Sequence, residues 1–245
     1  MRGTSDSVDR LLMTRRSLLV GKDRFIIGPW QDDPTTAYVG LTPSGSTLTS
    51  RASVQHCIER ISADGYQRAV TAALRPSDAH VFEGAGFALK ERLHVLRHDL
   101  QGDLGAPDDR LRRARRRDRP DVLDVDRLAF ESFWHLGADG LQDALNATTS
   151  VRFRVLDERG VVGYAVCGRA MDIGYLQRLA VHPDHVRQGI GSALVMDAIR
   201  WLRRRRSRMM LVNTQESNTT ALALYRRLGF QLETDHLSVL SWERS

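Results

Sequence analysis

Two glycines separated by one residue, Gly189 and Gly191, lie between an apolar run and an amphipathic helical pattern. The run, Tyr175 to Val181, favours a β-strand, and the helical pattern has an apolar face formed by Leu194, Val195, Ala198, Ile199 and Leu202. A strand, a tight glycine turn and a helix N-terminus expose backbone N–H groups and the positive end of a helix dipole. The segment therefore predicts a phosphate site with contacts from Arg187, Gln188, Gly189, Ile190, Gly191 and Ser192.

A second strand and helix follow this segment. Leu211 to Thr214 predicts a strand, and Glu216 to Phe230 predicts a helix closed by a glycine. On that helix Asn218 and Tyr225 are seven residues apart, which places them on the same face two turns from each other. A structural interpretation stays open beside a functional one. Asparagine favours helix N-caps, and the leucine neighbours of the tyrosine are typical of a packed core.

Together these segments resemble the GCN5-related N-acetyltransferase (GNAT) superfamily, over roughly Pro120 to Glu243. The motifs that carry the resemblance occur in order and at the spacing of the family: Pro183, the Gly189–Gly191 loop, Asn218, Tyr225 and Gly229–Phe230. The resemblance implies the GNAT acyl-CoA N-acyltransferase fold, an α/β fold in which helices flank a mostly antiparallel, mixed sheet. One position departs from the family, since Val186 stands where arginine or glutamine is usual.

The resemblance also implies an activity, the transfer of an acetyl group from acetyl-CoA to a primary amine by direct attack in a ternary complex, without a metal. The glycine loop would hold the pyrophosphate. Leu179, Ala180 and Val181 would pair with the pantetheine arm, and a backbone N–H of that strand would donate to the thioester oxygen. Asn218 would contact the cofactor, and Tyr225 would protonate the departing thiolate.

The sequence does not identify the general base. Related alanine acetyltransferases of ribosomal proteins carry a glutamate at the position of Asn213, and an asparagine side chain does not accept a proton. Four titratable residues are near in sequence, and none is singled out by its position: Glu131, His135, His182 and Glu216. The resemblance alone favours His135 as the candidate catalytic residue, because it falls where family members form the acceptor pocket; a surface or packing histidine is the alternative.

Only the pKa of the amine therefore narrows the choice of acceptor. At pH 7 an α-amine with a pKa near 8 is about one-tenth neutral, whereas a lysine is neutral in less than about one part in a thousand. A missing carboxylate base thus favours an amine of low pKa, either a protein N-terminus or a small amine. The alternative function is a non-catalytic module that binds CoA or a protein partner, favoured by Val186 and by the missing base.

The charge is basic, with 36 Lys and Arg against 30 Asp and Glu and a pI near 9.9. Only Lys22 and Lys90 are lysines, so nearly all of this charge is arginine. Two arginine runs, Arg112–Arg119 and Arg203–Arg208, could face an acidic partner, but no aromatic residues interleave with them as in a stacking platform for nucleic acid. A solvated linker and helix face are favoured, and nucleic acid is not the expected partner.

Cysteine usage and hydropathy bear on the compartment. Cys57 and Cys167 are the only two cysteines and have no metal-type spacing, which fits a reducing cytoplasm. No apolar run approaches the roughly 18 residues of a membrane span, and the N-terminus lacks the pattern of a signal peptide. The expectation is a cytoplasmic protein without membrane contact, and a homodimer stays open.

A turn-rich break at Gly102–Asp109 predicts a domain boundary. The expected organisation is a flexible tail at 1–23, a degenerate GNAT-like half-domain at 24–101, an arginine-rich linker at 102–119 and the GNAT domain at 120–245. A shift of 143 residues places Gly84–Phe87 on Arg227–Phe230 and Phe82 on Tyr225. Because the first half lacks the glycine loop and the tyrosine hydroxyl, it is interpreted as a non-catalytic copy. This tandem order resembles that of mycothiol synthase; chance similarity is the alternative.

The remaining pattern predicts the flanking elements. In the second half, two helices are expected at Val122–Trp134 and Gly137–Ala147, and strands at Val151–Asp157, Val161–Arg169 and near Leu237–Trp242. In the first half, the pattern favours a helix over Ala52–Ile61 and strands over Ala69–Leu74 and Leu93–Leu96.

Overall fold

The computed structural model describes residues 15–31, 33–42 and 49–244. Contacts divide these residues into two compact units. The first contains the described parts of Met1–His94 and of Thr234–Ser245, and the second is Val95–Glu233. The final strand of the chain therefore contributes to both units, and the segment around Gly102–Asp109 lies inside the second.

The first unit contains a short antiparallel meander followed by a parallel strand. Its elements are β1 (Arg16–Val20), β2 (Asp23–Trp30), β3 (Asp33–Thr42), α1 (Arg51–Ala63), β4 (Arg68–Thr71), α2 (Pro76–Gly84), the first part of β5 (Ala88–His98) and the last part of β11 (Gln231–Glu243). The strand order is β1-β2-β3-β4-β11, with β3 and β4 parallel across α1. The chain is extended from Arg16, inside the segment expected to be a tail, because Leu18 and Val20 pack on the core of this unit.

The second unit contains the longer strands. Its elements are the end of β5, β6 (Leu111–Arg113), α3 (Arg119–Ala129), α4 (Ala138–Asn146), β7 (Ser150–Asp157), β8 (Val161–Ala170), β9 (Ile173–Val181), α5 (Ile190–Arg204), β10 (Met209–Gln215), α6 (Thr219–Arg227) and the start of β11. The strand order is β5-β10-β9-β8-β7-β6; β6 to β9 are antiparallel, and β9 and β10 are parallel.

Helices cover both faces of this second sheet. One core packs α5 and α6 on the sheet through side chains such as Leu194, Leu202 and Phe230. The other packs α3 and α4 on the opposite face through side chains such as Val122 and Leu141. Every residue of β8 from Val161 to Gly168 is buried, as expected for a strand covered on both faces. The predicted mixed α/β sheet is confirmed.

The first predicted helix of the second half ends earlier than its sequence pattern suggests. α3 stops at Ala129, and a 3₁₀ turn forms at Ser132–Trp134 instead of further α-helix. The backbone leaves the helical path because Asp126 accepts a hydrogen bond from the amide of Leu136, ten residues further along the chain. The other predicted elements are present, with bounds that differ by a few residues.

The predicted repeat is visible in the turn that follows α2 and α6. The amide of Phe87 donates to the carbonyl of Phe82 at 3.1 Å, and the amide of Phe230 donates to the carbonyl of Tyr225 at 3.0 Å. The glycine before each of these phenylalanines has a positive φ, 98° and 88° respectively, which a side chain would strain. The paired rings are 5.1 and 5.4 Å apart, so the two units use the same helix-turn-strand packing.

Some arginines of the two runs have structural roles inside the second unit. Arg112 makes hydrogen bonds of 2.6–2.9 Å with the carboxylates of Asp118 and Asp157. Arg203 of the second run and Arg200, one turn before it on α5, donate to backbone carbonyls of residues 100–106. Part of the basic charge of the chain therefore has a structural role. No helix among the described residues has the length and apolar character needed to cross a membrane.

Gly174 of β9 tests the packing of α5 on the sheet. A Cβ at this position would lie 2.2 Å from a Leu202 methyl carbon, and Leu202 is fully buried. We expect Gly174→Ala to destabilise the fold by about 1–3 kcal/mol through overpacking. The measurement is the urea midpoint followed by circular dichroism. Gly84→Ala is the matched control, because Gly84 ends a helix with only an arginine side chain near its Cβ position. Equal midpoints for both variants would contradict the packing argument.

Candidate active site

The two parallel strands of the second unit separate at their carboxyl ends. The ladder joins Ile173–Leu176 of β9 to Met209–Val212 of β10 and stops there. β9 continues to Val181, and within the described residues this last stretch pairs only with β8. The backbone groups of β9 that face β10 beyond Leu176 therefore have no strand partner, so the opening offers an extended ligand an unpaired strand edge.

A β-bulge in β9 lies at the point where the strands separate. Val166 of β8 pairs with Arg178, while its neighbour Cys167 pairs with Leu176, which leaves Gln177 as the extra residue. A bulge bends its strand and increases the local twist. The bulge in β9 thus lies where its ladder with β10 ends.

The corresponding strand pair of the first unit stays closed. β3 and β4 pair regularly from Thr36–Arg68 to Val39–Thr71, and the amide of Ala72 still donates to the carbonyl of Val39 at 2.8 Å. Under the 143-residue shift Thr71 corresponds to Thr214, so this ladder extends two residues further than the ladder that ends at Val212. The opening is therefore a property of the second unit.

The predicted phosphate loop follows β9 and leads directly into α5. Gly189 is the N-cap of α5 with φ 80°, and no side chain of the described chain caps the first turn. The predicted contact residues Arg187 to Ser192 lie together here, and Arg187 to Gly189 are exposed. Uncapped N–H groups at a helix N-terminus favour an anion. Gly191 has a further role, because a Cβ there would lie 3.2 Å from Leu224 of α6.

A basic side chain that sequence reasoning missed lies beside this turn. The guanidinium of Arg227, the last residue of α6, donates to the hydroxyl of Ser192 at 3.1 Å. The only signal for it was its place two residues before Gly229, the glycine that closes the helix. It adds positive charge to the N-terminus of α5.

Asn218 and Tyr225 lie on α6, as predicted. Asn218 is the N-cap, and its Oδ1 accepts from the amide of Ala221 at 3.0 Å, which leaves its NH₂ group for another contact. Tyr225 is 5% exposed, and burial raises the pKa of its phenol well above the usual value. No hydrogen bond to its hydroxyl forms within the described residues. The phenol therefore stays protonated at neutral pH.

His135 lies on the loop after α3 and contacts the backbone. Its Nε2 is 3.1 Å from the carbonyl oxygen of Phe130. A carbonyl only accepts, so Nε2 carries the proton in the neutral ring and Nδ1 is the atom left to accept one. No hydrogen bond or ring contact joins His135 to Tyr225 in the described part of the chain. The structure thus shows an anchored histidine beside α3.

Three other residues considered from the sequence are exposed, and one is a buried thiol. Glu131 and Glu216 are exposed, and Asn213 is exposed near the end of β10. Burial raises the pKa of the Cys167 thiol to about 12, so this residue is a packed thiol. Among the described residues, no group of three His, Cys, Asp or Glu is placed to hold a metal ion.

Comparison with known proteins identifies this region. A family model described as the acetyltransferase (GNAT) family matches residues 117–230, which contain the opening, the glycine loop and Tyr225. Residues 117–230 thus match the acetyltransferase (GNAT) family. The fold agrees: the tandem GNAT protein from the clavulanic acid biosynthesis pathway superposes with a TM-score of 0.64 at 15% identity, over 90% of this chain and 78% of that one.

Two curated relatives match the sequence of the same region. The alanine N-acetyltransferase of ribosomal protein bS18 from Escherichia coli is 32% identical over 84 residues, which are 34% of this chain and 57% of that protein. Mycothiol acetyltransferase from Geodermatophilus obscurus is 37% identical over 73 residues, 30% of this chain and 23% of that protein. The chain thus spans little more than half the length of the first and about a quarter of the second.

His98, the last residue of β5, supports the packing around Tyr225. Its Nδ1 accepts from the amide of Leu100 at 2.8 Å, and its ring lies 4.9 Å from that of Phe230, which in turn contacts Tyr225. Its side chain is buried, and this burial lowers the pKa of the imidazole below its usual value of 6.5, against an opposing contribution from Asp99. The folded protein thus holds His98 neutral.

Acidification should therefore destabilise the second unit through His98. A lowered folded-state pKa contributes stability above the unfolded value near 6.5, and this contribution is lost as pH falls from there toward the folded value. The measurement is the urea midpoint between pH 8 and 5. His98→Gln should flatten this dependence, whereas His80→Gln, at an exposed position, should leave it unchanged. The same slope in His98→Gln would show that other groups cause the acid sensitivity.

Proposed function

We propose that the chain is an N-acetyltransferase that moves the acetyl group of acetyl-CoA to a primary amine by direct attack in a ternary complex. The observation that carries the proposal is the unpaired edge at the end of β9, followed after residues 182–189 by an uncapped helix N-terminus, inside the region that matches the GNAT family. The edge of β9 offers hydrogen bonds to the extended pantetheine arm, and the N-terminus of α5 offers N–H groups to the pyrophosphate. The two features follow each other in the order that CoA requires.

The donor side would be held mainly by backbone. Leu179, Ala180 and Val181 would pair with the pantetheine arm along the free edge of β9. Residues 187–192 would hold the pyrophosphate, with Arg227 adding charge beside Ser192. The NH₂ group of Asn218 is free for a further contact. A backbone N–H of β9 that donates to the thioester oxygen would stabilise the charge that develops there.

Tyr225 would complete the transfer. The amine nitrogen attacks the thioester carbonyl carbon, the carbon–sulfur bond breaks, and the sulfur leaves as a thiolate. A neutral phenol donates its proton to that thiolate, and the buried Tyr225 is in this state at neutral pH. The proton lost by the amine goes to a base, for which Nδ1 of His135 is the candidate, reached directly or through water.

The acceptor class follows from the lack of an identified carboxylate base. An amine of low pKa needs less assistance, so a protein α-amine or a small amine is favoured over lysine. The names of the two relatives point to both kinds, an alanine of a ribosomal protein and mycothiol. Both cysteines are buried thiols, in keeping with a reducing cytoplasm. The first unit is proposed to be non-catalytic, because Phe82 replaces the tyrosine and its strand pair is closed.

Titration calorimetry with acetyl-CoA tests the donor site. We expect one molecule bound per chain, because among the described residues only the second unit has the opening. Gly189→Glu should abolish binding, since it places bulk and negative charge at a residue with positive φ beside the helix N-terminus. Thiol release is then followed with hexapeptides that begin with Ala, Ser or Met, and with glucosamine. Binding without release would favour the CoA-binding module, and two sites per chain would contradict the closed first unit.

Tyr225→Phe tests the acid. Turnover should fall by about 10²–10⁴ while the affinity for acetyl-CoA stays nearly unchanged, because only the proton donor is lost. Stopped-flow thiol release and calorimetry measure the two quantities. Tyr66→Phe, a buried tyrosine in the core of the first unit, is the matched control. Unchanged turnover in Tyr225→Phe would exclude the tyrosine as the acid.

A further inference from the structure

A buried carboxylate on α3 is fully hydrogen-bonded to three distant parts of the second unit. Asp126 has no exposed surface. Its Oδ2 accepts from the Tyr164 hydroxyl and from Nε of Arg178 at 2.7 Å. Its Oδ1 accepts from Nη2 of Arg178 at 2.8 Å and from the amide of Leu136 at 2.6 Å. Both oxygens thus accept hydrogen bonds from the protein, and Asp126 has a structural role.

Arg178 connects this carboxylate to the loop after α3. Besides its bonds to Asp126, its Nη2 donates to the carbonyl of Trp134 at 2.6 Å. Its guanidinium carbon lies 3.6 Å from the centre of the Phe130 ring. Two residues of the loop, Trp134 and Leu136, are therefore held by the pair, and His135 lies between them. We define residues 130–136 as the anchored loop.

The backbone of Arg178 belongs to the parted end of β9. It directly follows the bulge residue Gln177 and directly precedes Leu179. The same residue therefore takes part in the strand edge proposed to hold the thioester and, through its side chain, fixes the anchored loop. A guanidinium suits this task because its planar fork contacts a carboxylate and a carbonyl at once.

We propose that Arg178 is a positioning residue that fixes the anchored loop relative to the parted end of β9 and so sets the geometry in which the amine meets the thioester. The proposal rests on the proposed function and assigns the anchored loop to the acceptor side. Loss of the anchor should loosen the loop and weaken use of the amine, while the donor site, built from backbone and from α5, remains.

The matched control is a second arginine–aspartate pair in the same unit. Arg152 of β7 donates to Asp197 of α5 at 2.6 and 2.7 Å, a fork like that of Arg178 and Asp126. Neither residue of this pair contacts the anchored loop among the described contacts. Arg178→Met and Arg152→Met therefore both break a paired carboxylate, and only the first frees the loop.

Hydrogen exchange measured by mass spectrometry provides the first readout. In Arg178→Met, amides of residues 130–136 should exchange at least about tenfold faster, whereas those of α5 should be unchanged. Tyr164→Phe removes the hydroxyl that donates to Asp126 and leaves Arg178 in place. It should give a smaller change of the same kind, which keeps the test usable if Arg178→Met does not fold. Arg152→Met should leave 130–136 unchanged. Unchanged exchange in the loop, or an equal rise in α5, would overturn the proposal.

Kinetics with an alanine-initiated hexapeptide provide the second readout. Arg178→Met should raise KM for the peptide by about tenfold or more, while calorimetry shows an acetyl-CoA Kd within about threefold of wild type. An equal loss for both ligands would mean a general structural role and would overturn the proposal. If the wild-type chain transfers no acetyl group, the proposed function fails, whereas the exchange measurement still decides whether Arg178 anchors the loop.

Discussion

The site depends on one irregularity in hydrogen bonding, the extra residue that Gln177 adds to β9. Below it β9 and β10 form an ordinary parallel ladder, and above it the ladder ends and β9 remains paired only with β8. A strand paired on both sides has its backbone groups satisfied by its neighbours and offers none to a ligand. Beyond the bulge, one edge of β9 has unpaired backbone groups while the other edge stays paired with β8. The strand therefore stays in place although part of its hydrogen-bonding capacity is unused.

The two units show how little separates a binding fold from a packing fold. Both contain a meander, a helix, a parallel strand and a helix closed by glycine and phenylalanine. In the first, the ladder between β3 and β4 runs on past the level at which the second opens, and Phe82 fills the place of Tyr225. The level at which the ladder ends, the glycine loop and one hydroxyl distinguish them. The first unit thus keeps the core of the motif without its opening.

Local patterns made the glycine loop, α5, α6 and the repeat predictable from sequence, because each depends on residues a few positions apart. The bulge was not predictable, since it is a matter of register between β8 and β9. The same holds for the anchor: Asp126 and Arg178 are 52 residues apart, and no pattern in either segment signals the pair. That long-range contact also explains the missed end of α3, because tertiary hydrogen bonds to Leu136 and Trp134 outweigh helix propensity there.

The anchors of the second unit share a chemical property beyond their geometry. Arg112, Arg152, Arg178, Arg200 and Arg203 all bind through guanidinium groups, and both lysines of the chain, Lys22 and Lys90, precede this unit. A guanidinium stays protonated throughout the physiological range and is therefore a poor nucleophile toward a thioester. The amine of a lysine, in contrast, can itself accept an acetyl group. A domain proposed to acetylate amines thus carries no side-chain amine of its own, and its structural cations are inert to its own chemistry.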